Sequence, residues 1–543
     1  MNEILIVIPA RGGSKGIPRK NLRILDGKPL IQYSITMALS SRYKPDVYVS
    51  TEDDEIALIS EKLGASVVKR EVNKAGDDTT LDPVIYDCMN RAEKNEGKEY
   101  QLIVTLQPTS PLLKRESLDA ALGSLLLNET VDTVISAVND THLTWRYENG
   151  CYTPNYSERL NRQYLTPTFK ETGGFLITRK RCISEISRIG NCVELFELQG
   201  SEAIDIDNYE DWSLCEYYKN RKKILFVVSG YQEIGLGHVY NSLIIANDIL
   251  SHQLEFLVDR KSRLAFDKIA SKNYLVSIQE TGNLLQDIEV RQPDVIINDR
   301  LDTEASEILE LKRKGIKVIN FEDLGEGAEY ADLVINAIYP ERQVLPNHYF
   351  GHEYVVLRDE FILSQPKPVS DAVRKVLLTF GGVDPANLTR KVLQAIYGYC
   401  QSQRIEILVV TGFGYRHHDS LDEFEDVRVV RNTMSISDHM ASADIAFTSA
   451  GRTTYEIASL EVPCIVLAQN ARELSHLFAS AEFGFLNLGD GKKVDTVTIL
   501  KHFVQLVESP ESRKHMASLM SQADLSSGRK RVQKLIRNVL ESS

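Results

Sequence analysis

The chain has 543 residues and a formal net charge of −13 at pH 7. This length exceeds what one hydrophobic core usually organises, so we expect three or four lobes. The acidic balance argues against general nucleic-acid binding, which needs a basic face. No apolar run reaches the roughly 18 residues that cross a bilayer, which argues against a membrane span.

The start of the chain and its cysteines indicate a compartment. A buried strand is predicted from Ile4, which leaves no room for a secretion signal. The seven cysteines include no CxxC pair, and their odd number favours reduced thiols. We therefore expect a cytoplasmic protein.

Predicted strands and helices alternate through the first 220 residues. Such alternation is typical of an α/β fold with a parallel sheet and helices on both faces. The strands are predicted near 4–8, 46–50, 67–69, 102–106, 133–137 and 174–178, and the helices at 29–40, 54–63, 81–95 and 115–127. A polar basic stretch at 219–223 precedes a new strand, so we assign residues 1–220 to a first domain.

The same rhythm restarts twice after residue 220. The strands of the middle part are predicted at 224–228, 254–258, 294–298, 316–320 and 332–336, and those of the last part at 375–380, 405–410, 427–430, 444–448 and 464–467. Pro366 and Pro368 separate the two parts. We therefore predict two doubly wound lobes, 221–365 and 366–543, with the C-terminal helices in the second. Ligands in such sheets bind at the carboxyl ends of the strands.

The loop after the first strand carries the most informative pattern of the chain. Residues 9–21 read PARGGSKGIPRKN, with four cations at Arg11, Lys15, Arg19 and Lys20. Glycines let backbone N–H groups approach phosphate oxygens closely, and the cations neutralise them. The loop therefore predicts a cradle for a triphosphate, although it matches neither a Walker loop nor a dinucleotide fingerprint. The alternative is that residues 9–21 form a basic surface turn that binds no ligand.

Two further segments of the first domain carry polar groups suited to a ligand. Asp205 and Asp207 are two residues apart, so in an extended segment both would face one side and suit Mg²⁺. Such pairs also occur on solvated faces. Gln107 opens the segment QPTSPL after a predicted buried strand, where amide and hydroxyl groups could hold a base or a sugar.

Three segments in the second half of the chain suggest another nucleotide site. The run 234–238 reads IGLGH and enters a predicted helix, so that His238 could act as a base near neutral pH. Gly382 follows a strand of the last part. The run 449–456 reads SAGRTTYE, where a helix N-terminus could take a diphosphate and Glu456 could accept from ribose hydroxyls.

Residues 1–218 closely resemble the CMP-sialic acid synthetases, or N-acylneuraminate cytidylyltransferases. The resemblance rests on IPARGGSKGIPRKN, LQPTSPL and IDID, in the order and spacing of that family. It implies a Rossmann-like nucleotidyltransferase domain that binds CTP on the first loop. The backbone at Ala10 and Gly12 would contribute to this nucleotide site. The phosphates would be held by Arg11, Ser14, Lys15 and Lys20. Asn21 would approach the cytosine, Gln107 would contact the sugar acid or the nucleotide, and Asp205 and Asp207 would hold Mg²⁺.

The resemblance also implies a reaction and its partners. The anomeric hydroxyl of a nonulosonic acid, a nine-carbon 2-keto sugar acid, would attack the α-phosphate of CTP, and pyrophosphate would leave. A homodimer is expected, as in that family. Many members have an arginine after SPL, where this chain has Leu113 followed by Lys114 and Arg115. The acid itself stays open between the neuraminic, legionaminic and pseudaminic types.

Residues 223–490 loosely resemble the UDP-sugar hydrolase of pseudaminic acid biosynthesis, a relative of the two-lobed GT-B glycosyltransferases. This implies a GT-B-like domain that binds a UDP-sugar through Gly237, Gly382, Ser449, Thr453 and Glu456, with His238 helping to activate water. That family usually has GHxxR and an Asp-His pair, where this chain has Asn241 and Asp299-Arg300. Two alternatives stay open: a non-catalytic nucleotide-sugar binder and a glycosyltransferase.

Overall fold

The computed structural model describes residues 3–13, 16–71, 76, 79–340, 345–433 and 435–542. The chain divides into two compact units, residues 1–221 and 222–543. Within the ranges described, no helix is long and apolar enough to cross a membrane.

The first unit is built on one seven-stranded sheet, with the strand order β11-β7-β10-β6-β1-β4-β5. The strands of this unit are β1 Ile4–Pro9, β2 Ile24–Leu25, β3 Lys28–Pro29, β4 Asp46–Thr51, β5 Ser66–Lys69, β6 Leu102–Leu106, β7 Thr133–Asn139, β8 Trp145–Glu148, β9 Cys151–Pro154, β10 Phe169–Arg179 and β11 Val193–Glu197. Its α-helices are α1 Leu30–Leu39, α2 Asp54–Lys62, α3 Leu81–Glu96, α4 Arg115–Leu127 and α5 Tyr209–Asn220.

The order of this sheet explains where a ligand can bind. β1 lies inside the sheet, between β6 and β4, and its side chains are apolar. Leu5 and Ile6 point to opposite faces of the sheet and are both completely buried, as expected where helices cover both faces. The chain goes to β4 on one side of β1 and to β6 on the other. The strand order therefore reverses between β1 and β6, and the carboxyl edge at such a reversal is the usual place for a nucleotide.

One strand departs from the predicted parallel sheet. β10 pairs antiparallel with both β6 and β7, and its register slips between Glu171 and Leu176. The hairpin of β8 and β9 connects β7 to β10 along the chain, so that β10 returns antiparallel to β7. The other pairs of this seven-stranded sheet are parallel, as the alternation of strands and helices predicts.

The second unit contains two parallel sheets, and the fold class of the chain is α/β throughout. In the first lobe the order is β14-β13-β12-β15-β16-β17-β18, and in the second lobe it is β21-β20-β19-β22-β23-β24. The first lobe has β12 Lys223–Val228, α6 Gly237–Asp248, β13 Gln253–Val258, α7 Arg263–Ala270, β14 Val276–Ile278, α8 Leu284–Arg291, β15 Val295–Asp299, α9 Ala305–Arg313, β16 Lys317–Phe321, β17 Leu333–Asn336 and β18 His348–Phe350. After α10 Asp359–Leu363, the second lobe has β19 Lys375–Leu378, α11 Leu388–Gln403, β20 Glu406–Thr411, β21 Arg428–Arg431, α12 Ile436–Ser442, β22 Ile445–Thr448, α13 Thr453–Ser459, β23 Cys464–Ala468 and β24 Phe485–Asp490. The chain ends with α14 Thr496–Glu508, α15 Pro510–Met520 and α16 Gly528–Glu541.

The last helix corrects one predicted boundary. The assignment of all residues 366–543 to the second lobe is wrong for α16, because Val532, Ile536 and Leu540 join the hydrophobic core of the first lobe. The guanidinium of Arg529 also pairs with Asp248 at the end of α6, 2.5 Å away. An apolar stripe with helical spacing predicts that a helix packs against a core but does not say which core.

Candidate functional site

The loop after β1 is tied to the end of β4. The Ala10 N–H donates to the carbonyl oxygen of Ser50 over 3.0 Å, and the Gly12 N–H donates to Glu52 Oε1 over 2.6 Å. The predicted contact of these two N–H groups with phosphate oxygens is therefore wrong for this arrangement of the loop. A Cβ at residue 12 would lie 2.5 Å from Asp53 Oδ2, so only glycine allows this approach. Ser14 and Lys15, two of the predicted phosphate ligands, lie outside the described residues.

The cations of the loop have different tasks. Arg19 is engaged by Asp53 at 2.6 Å and Glu55 at 2.5 Å, which removes it from the predicted cradle. Lys20 is mostly buried, and its Nζ donates to the carbonyl oxygen of Ile206 over 2.5 Å. The loop is thereby attached to the segment that carries Asp205 and Asp207.

Asn21 holds the loop from inside. It is buried, and its Nδ2 donates to the carbonyl oxygen of Arg11 over 2.9 Å. This contact fixes the backbone on which the Arg11 side chain stands. The contact of Asn21 with cytosine stays a prediction.

The two aspartates differ in their surroundings. Asp205 Oδ1 is buried and has no hydrogen-bond partner in the described part of the chain, whereas the side chain of Asp207 is 79% exposed. Burial raises the pKa of the Asp205 carboxyl, the nearby Thr109 hydroxyl opposes this shift, and the charge of Asp207 adds to it. A Cβ at Gly173 would lie 2.5 Å from Asp205 Oδ2, so this glycine makes room for the carboxylate.

This pair fits Mg²⁺ completed by a ligand. Among the described residues no group of three or more His, Cys, Asp or Glu could hold a metal ion. Mg²⁺ usually needs only one or two carboxylates, because phosphate oxygens and waters supply the rest. An unpartnered carboxylate oxygen in a buried setting is costly unless a cation satisfies it, and Asp205 provides that oxygen.

The segment after β6 contributes two hydroxyls. Gln107 directly follows β6, and its main-chain carbonyl oxygen accepts from Ser34 Oγ over 3.2 Å. Thr109 Oγ1 and Ser110 Oγ are buried without a hydrogen-bond partner in the described part. The Ile206 N–H donates to the main-chain carbonyl oxygen of Thr109 over 2.9 Å. This contact places the two hydroxyls beside the segment that carries Asp205 and Asp207.

The residues after SPL point elsewhere. Leu113 is buried in the core. Lys114 pairs with Glu202 at 2.8 Å, and Arg115 pairs with Glu116 at 2.5 Å. The arginine that many CMP-sialic acid synthetases have at this point is therefore not replaced by either of the two cations.

Two charged residues lie behind the first loop: Glu52, in the segment 50–53 that the sequence singles out after a strand end, and Arg70, which sequence reasoning missed. Arg70 is buried, and its Nη2 donates to the carbonyl oxygen of Ser50 over 2.8 Å. Glu52 Oε2 has no hydrogen-bond partner among the residues described. Arg70 directly follows β5, and it lies beside the loop because β5 pairs with β4 in the sheet, which the sequence does not reveal.

The second unit has a cavity of about 270 Å³ between its two lobes. All five residues that the sequence proposes for a nucleotide sugar line this cavity: Gly237, Gly382, Ser449, Thr453 and Glu456. They come from the carboxyl ends of β12, β19 and β22, where the order of each sheet changes direction. The geometry is therefore that of a ligand cleft in a two-lobed α/β fold.

His238 lies at the start of α6, beside this cavity, and forms a close pair with Asp299. Nδ1 of His238 is 2.6 Å from Asp299 Oδ1, and both side chains are buried. A carboxylate only accepts, so Nδ1 is the donor and Nε2 is the nitrogen that can take a proton. Asp299 Oδ2 accepts from Asn241 Nδ2 over 2.7 Å and from Ser242 Oγ over 3.2 Å. Arg300, the next residue, turns away to pair with Glu307.

Two carboxyls in the cavity are shifted by burial. Glu456 accepts from Arg358 Nε over 3.0 Å and from Nη2 over 2.8 Å, so this predicted ribose acceptor already has an ion-pair partner. Burial raises the pKa of Glu456, and Arg358 opposes that shift. Burial also raises the pKa of Glu473 to about 7. Sequence reasoning missed Glu473, because no motif surrounds it.

Comparisons with known proteins cover both units. The Cytidylyltransferase family matches residues 5–151. A Helicobacter pylori protein named pseudaminic acid cytidylyltransferase and UDP-2,4-diacetamido-2,4,6-trideoxy-beta-L-altropyranose hydrolase is 23% identical over 529 residues, which are 93% of this chain and 95% of that protein. Among solved structures, MurG of Acinetobacter baumannii is 12% identical and covers 59% of this chain with 99% of its own, at a TM-score of 0.43.

Other relatives match part of this chain or are matched in part. The chain spans 56% of a Methanocaldococcus jannaschii relative and 50% of N-acylneuraminate cytidylyltransferase A of Danio rerio. CMP-N,N'-diacetyllegionaminic acid synthase of Legionella pneumophila is 31% identical over 228 residues, 39% of this chain and 94% of that enzyme. The chain therefore belongs to the cytidylyltransferase family that contains this synthase.

Proposed function

We propose that the first unit transfers CMP from CTP to a nonulosonic acid. The observation that carries this proposal is the meeting of three groups at one edge of the sheet: the loop 10–13, Lys20 and the buried carboxylate of Asp205. Membership of the family gives the reaction class. A new phosphodiester bond forms at the α-phosphorus as pyrophosphate leaves.

The residues of this unit have separate roles in the proposal. Because the N–H groups of Ala10 and Gly12 already donate to Ser50 and Glu52, the charge of the triphosphate would be neutralised by Arg11 and Lys20, with Ser14 and Lys15 as predicted further ligands. Asp205 and Asp207 would hold Mg²⁺, which would supply charge neutralisation at the phosphate oxygens. Bringing two anions together is the main obstacle of this reaction, so such neutralisation and positioning account for most of the rate.

A pyrophosphate-release assay tests this proposal. The purified chain is incubated with CTP, Mg²⁺ and one of three acids of the neuraminic, legionaminic and pseudaminic types, with an eight-carbon octulosonic acid as the control. We expect Mg²⁺-dependent release with one nonulosonic acid and little with the control. Folded protein that releases pyrophosphate with none of the three would contradict the proposed substrate class.

We further propose that the second unit hydrolyses a nucleotide sugar bound in its cleft. The close pair of His238 and Asp299 supports this, because a carboxylate on Nδ1 orients the ring and stabilises the imidazolium that forms as Nε2 takes a proton from water. The nucleoside diphosphate would leave from the sugar as the water adds. The sugar is proposed to be a UDP-linked amino sugar of the same pathway, by likeness to the H. pylori protein.

The alternative is a unit that binds a nucleotide sugar without cleaving it. The burial of His238 favours this, since only 7% of the residue is exposed. The two functions separate in one experiment, in which UDP release is followed in water labelled with heavy oxygen. Label in the freed sugar supports hydrolysis, whereas saturable UDP-sugar binding with no release supports the alternative.

A further inference from the structure

Arg452 crosses from the second lobe to the first. It stands directly before α13, between Ser449 and Thr453 in the segment that lines the cleft. Its Nη2 is 2.7 Å from Glu322 Oε1, and its Nη1 donates to Asn241 Oδ1 over 3.1 Å. Both of these partners belong to the first lobe, and the side chain of Arg452 is only 16% exposed.

Asn241 relays this contact to the histidine pair. Its Oδ1 accepts from Arg452, and its Nδ2 donates to Asp299 Oδ2 over 2.7 Å. The other oxygen of Asp299 holds Nδ1 of His238. An unbroken chain of polar contacts, each 3.1 Å or shorter, therefore runs from Arg452 to His238.

The charges around His238 make Arg452 more than a packing contact. Six titratable groups face this cluster: Asp299 at the end of β15, Glu322 after β16, Tyr339 after β17, Arg452 before α13, Tyr455 on α13 and Arg472 after β23. Asp299 and Glu322 are both almost completely buried. Arg472 reaches the carbonyl oxygen of Glu322, at 2.6 Å, and its Nη1 pairs with Asp302.

Removing Arg452 would leave two buried carboxylates beside the imidazole. Burial disfavours their charged forms, and with Arg452 removed a proton kept on His238 would offset part of their charge, alongside Arg472. A protonated imidazole cannot act as a base. With Arg452 in place, one carboxylate is already paired, so the imidazole can lose its proton.

We propose that Arg452 is a positioning residue that keeps His238 neutral and oriented, and so makes the reaction in the first lobe depend on a segment of the second lobe that contacts the nucleotide. This inference rests on the proposed hydrolysis. Gly237 packs against this arginine, since a Cβ at this position would lie 3.5 Å from Arg452 Cδ, an ordinary van der Waals contact.

The test compares Arg452→Gln with a matched control in the full chain. Arg291→Gln removes an arginine of equal burial, 14% exposed, from a 2.8 Å ion pair with Glu255 on the same lobe as His238 but outside the cleft. The measurements are the pH profile of kcat/KM for UDP release and the Kd of UDP by calorimetry. We expect the acidic limb of Arg452→Gln to move to higher pH by about one unit, a typical effect of one charge at this range.

Two further variants make the test specific. Glu322→Gln removes a carboxylate, so its acidic limb should move to lower pH, and the double variant Arg452→Gln/Glu322→Gln should return close to the wild type. The Kd of UDP should change less than about threefold in Arg452→Gln, since a positioning residue does not hold the nucleotide. Arg291→Gln should leave both measurements unchanged.

Several results would overturn the inference. A Kd of UDP weakened about tenfold or more, with an unmoved pH profile, would make Arg452 a nucleotide ligand instead. If the wild type releases no UDP, the proposed hydrolysis fails. The inference about Arg452 is then tested separately, by following the NMR signal of a His238 ring carbon against pH in selectively labelled protein. An identical titration in wild type and Arg452→Gln would contradict the inference, and a shift to higher pH would support it.

Discussion

Lys20 joins the phosphate loop of the first unit to its aspartate segment. Its Nζ donates to the carbonyl oxygen of Ile206 over 2.5 Å and lies 3.6 Å from Asp207 Oδ1. One ammonium thus stands where the proposed triphosphate and the proposed metal would meet. Because the lysine is held by a backbone oxygen, its position does not depend on the exposed carboxylate of Asp207.

Replacing Lys20 with Met should weaken CTP binding. The variant removes a mostly buried cation, so we expect the KM for CTP to rise about tenfold or more, the loss of one charge-assisted contact. Pyrophosphate release at varied CTP measures it. Lys180→Met, which removes a lysine paired with Glu93 at 2.8 Å, is the control and should keep the wild-type KM. Equal KM values for both variants would remove Lys20 from the nucleotide site.

Replacing Asp205 with Asn should separate activity from stability. We expect Mg²⁺-dependent pyrophosphate release to fall about 100-fold or more, because the amide cannot replace a carboxylate ligand. The raised pKa of Asp205 means that its charged form is disfavoured in the fold, so stability declines as pH rises through that pKa. The neutral variant should therefore have a Tm at pH 8 equal to or above that of the wild type.

The control for this variant is a buried carboxylate on α4. Asp119 accepts from Ser41 Oγ over 2.5 Å, so Asp119→Asn should lower Tm while it leaves the Mg²⁺ dependence unchanged. A wild-type rate for Asp205→Asn would exclude this residue as a metal ligand. A rate lost together with a lowered Tm would indicate a structural role.

The sequence predicts the local parts of these sites much better than the contacts between them. Buried strands such as β1 and β12, and the loops after them, follow from apolar runs that end in glycines. The partners do not, because the pairing of His238 with Asp299, the reach of Arg452 to Glu322 and the return of α16 to the first lobe all depend on how distant segments pack. Local periodicity contains no information on such contacts.

Replacing His238 with Ala should affect the second unit alone. General base catalysis typically contributes 10² to 10⁴ in rate, so we expect UDP release to fall about 100-fold or more. CMP-sugar formation by the same preparation should stay at the wild-type level. His515→Ala changes an exposed histidine on α15 and should alter neither activity. Loss of CMP-sugar formation in His238→Ala would show that the two activities are not independent.

Glu473 should give the second unit a pH-dependent stability. Its carboxyl has a pKa raised to about 7 by burial, so the folded chain keeps this proton at pH values where the unfolded chain, near its ordinary value of 4.5, has lost it. The folded state then binds more protons than the unfolded state between these values, and its stability falls as pH rises from about 4.5 to about 7.

Glu473→Gln stays neutral and removes this contribution. The Tm of the variant's second-unit transition should match that of the wild type at pH 4.5. It should exceed the wild-type Tm at pH 8, where the Glu473 carboxyl of the wild type is ionised in both the folded and the unfolded chain. Glu482→Gln, a change in the same segment at a carboxyl outside the cleft cavity, provides the comparison. A Tm difference between Glu473→Gln and wild type that is the same at both pH values would show that Glu473 is ionised throughout this range.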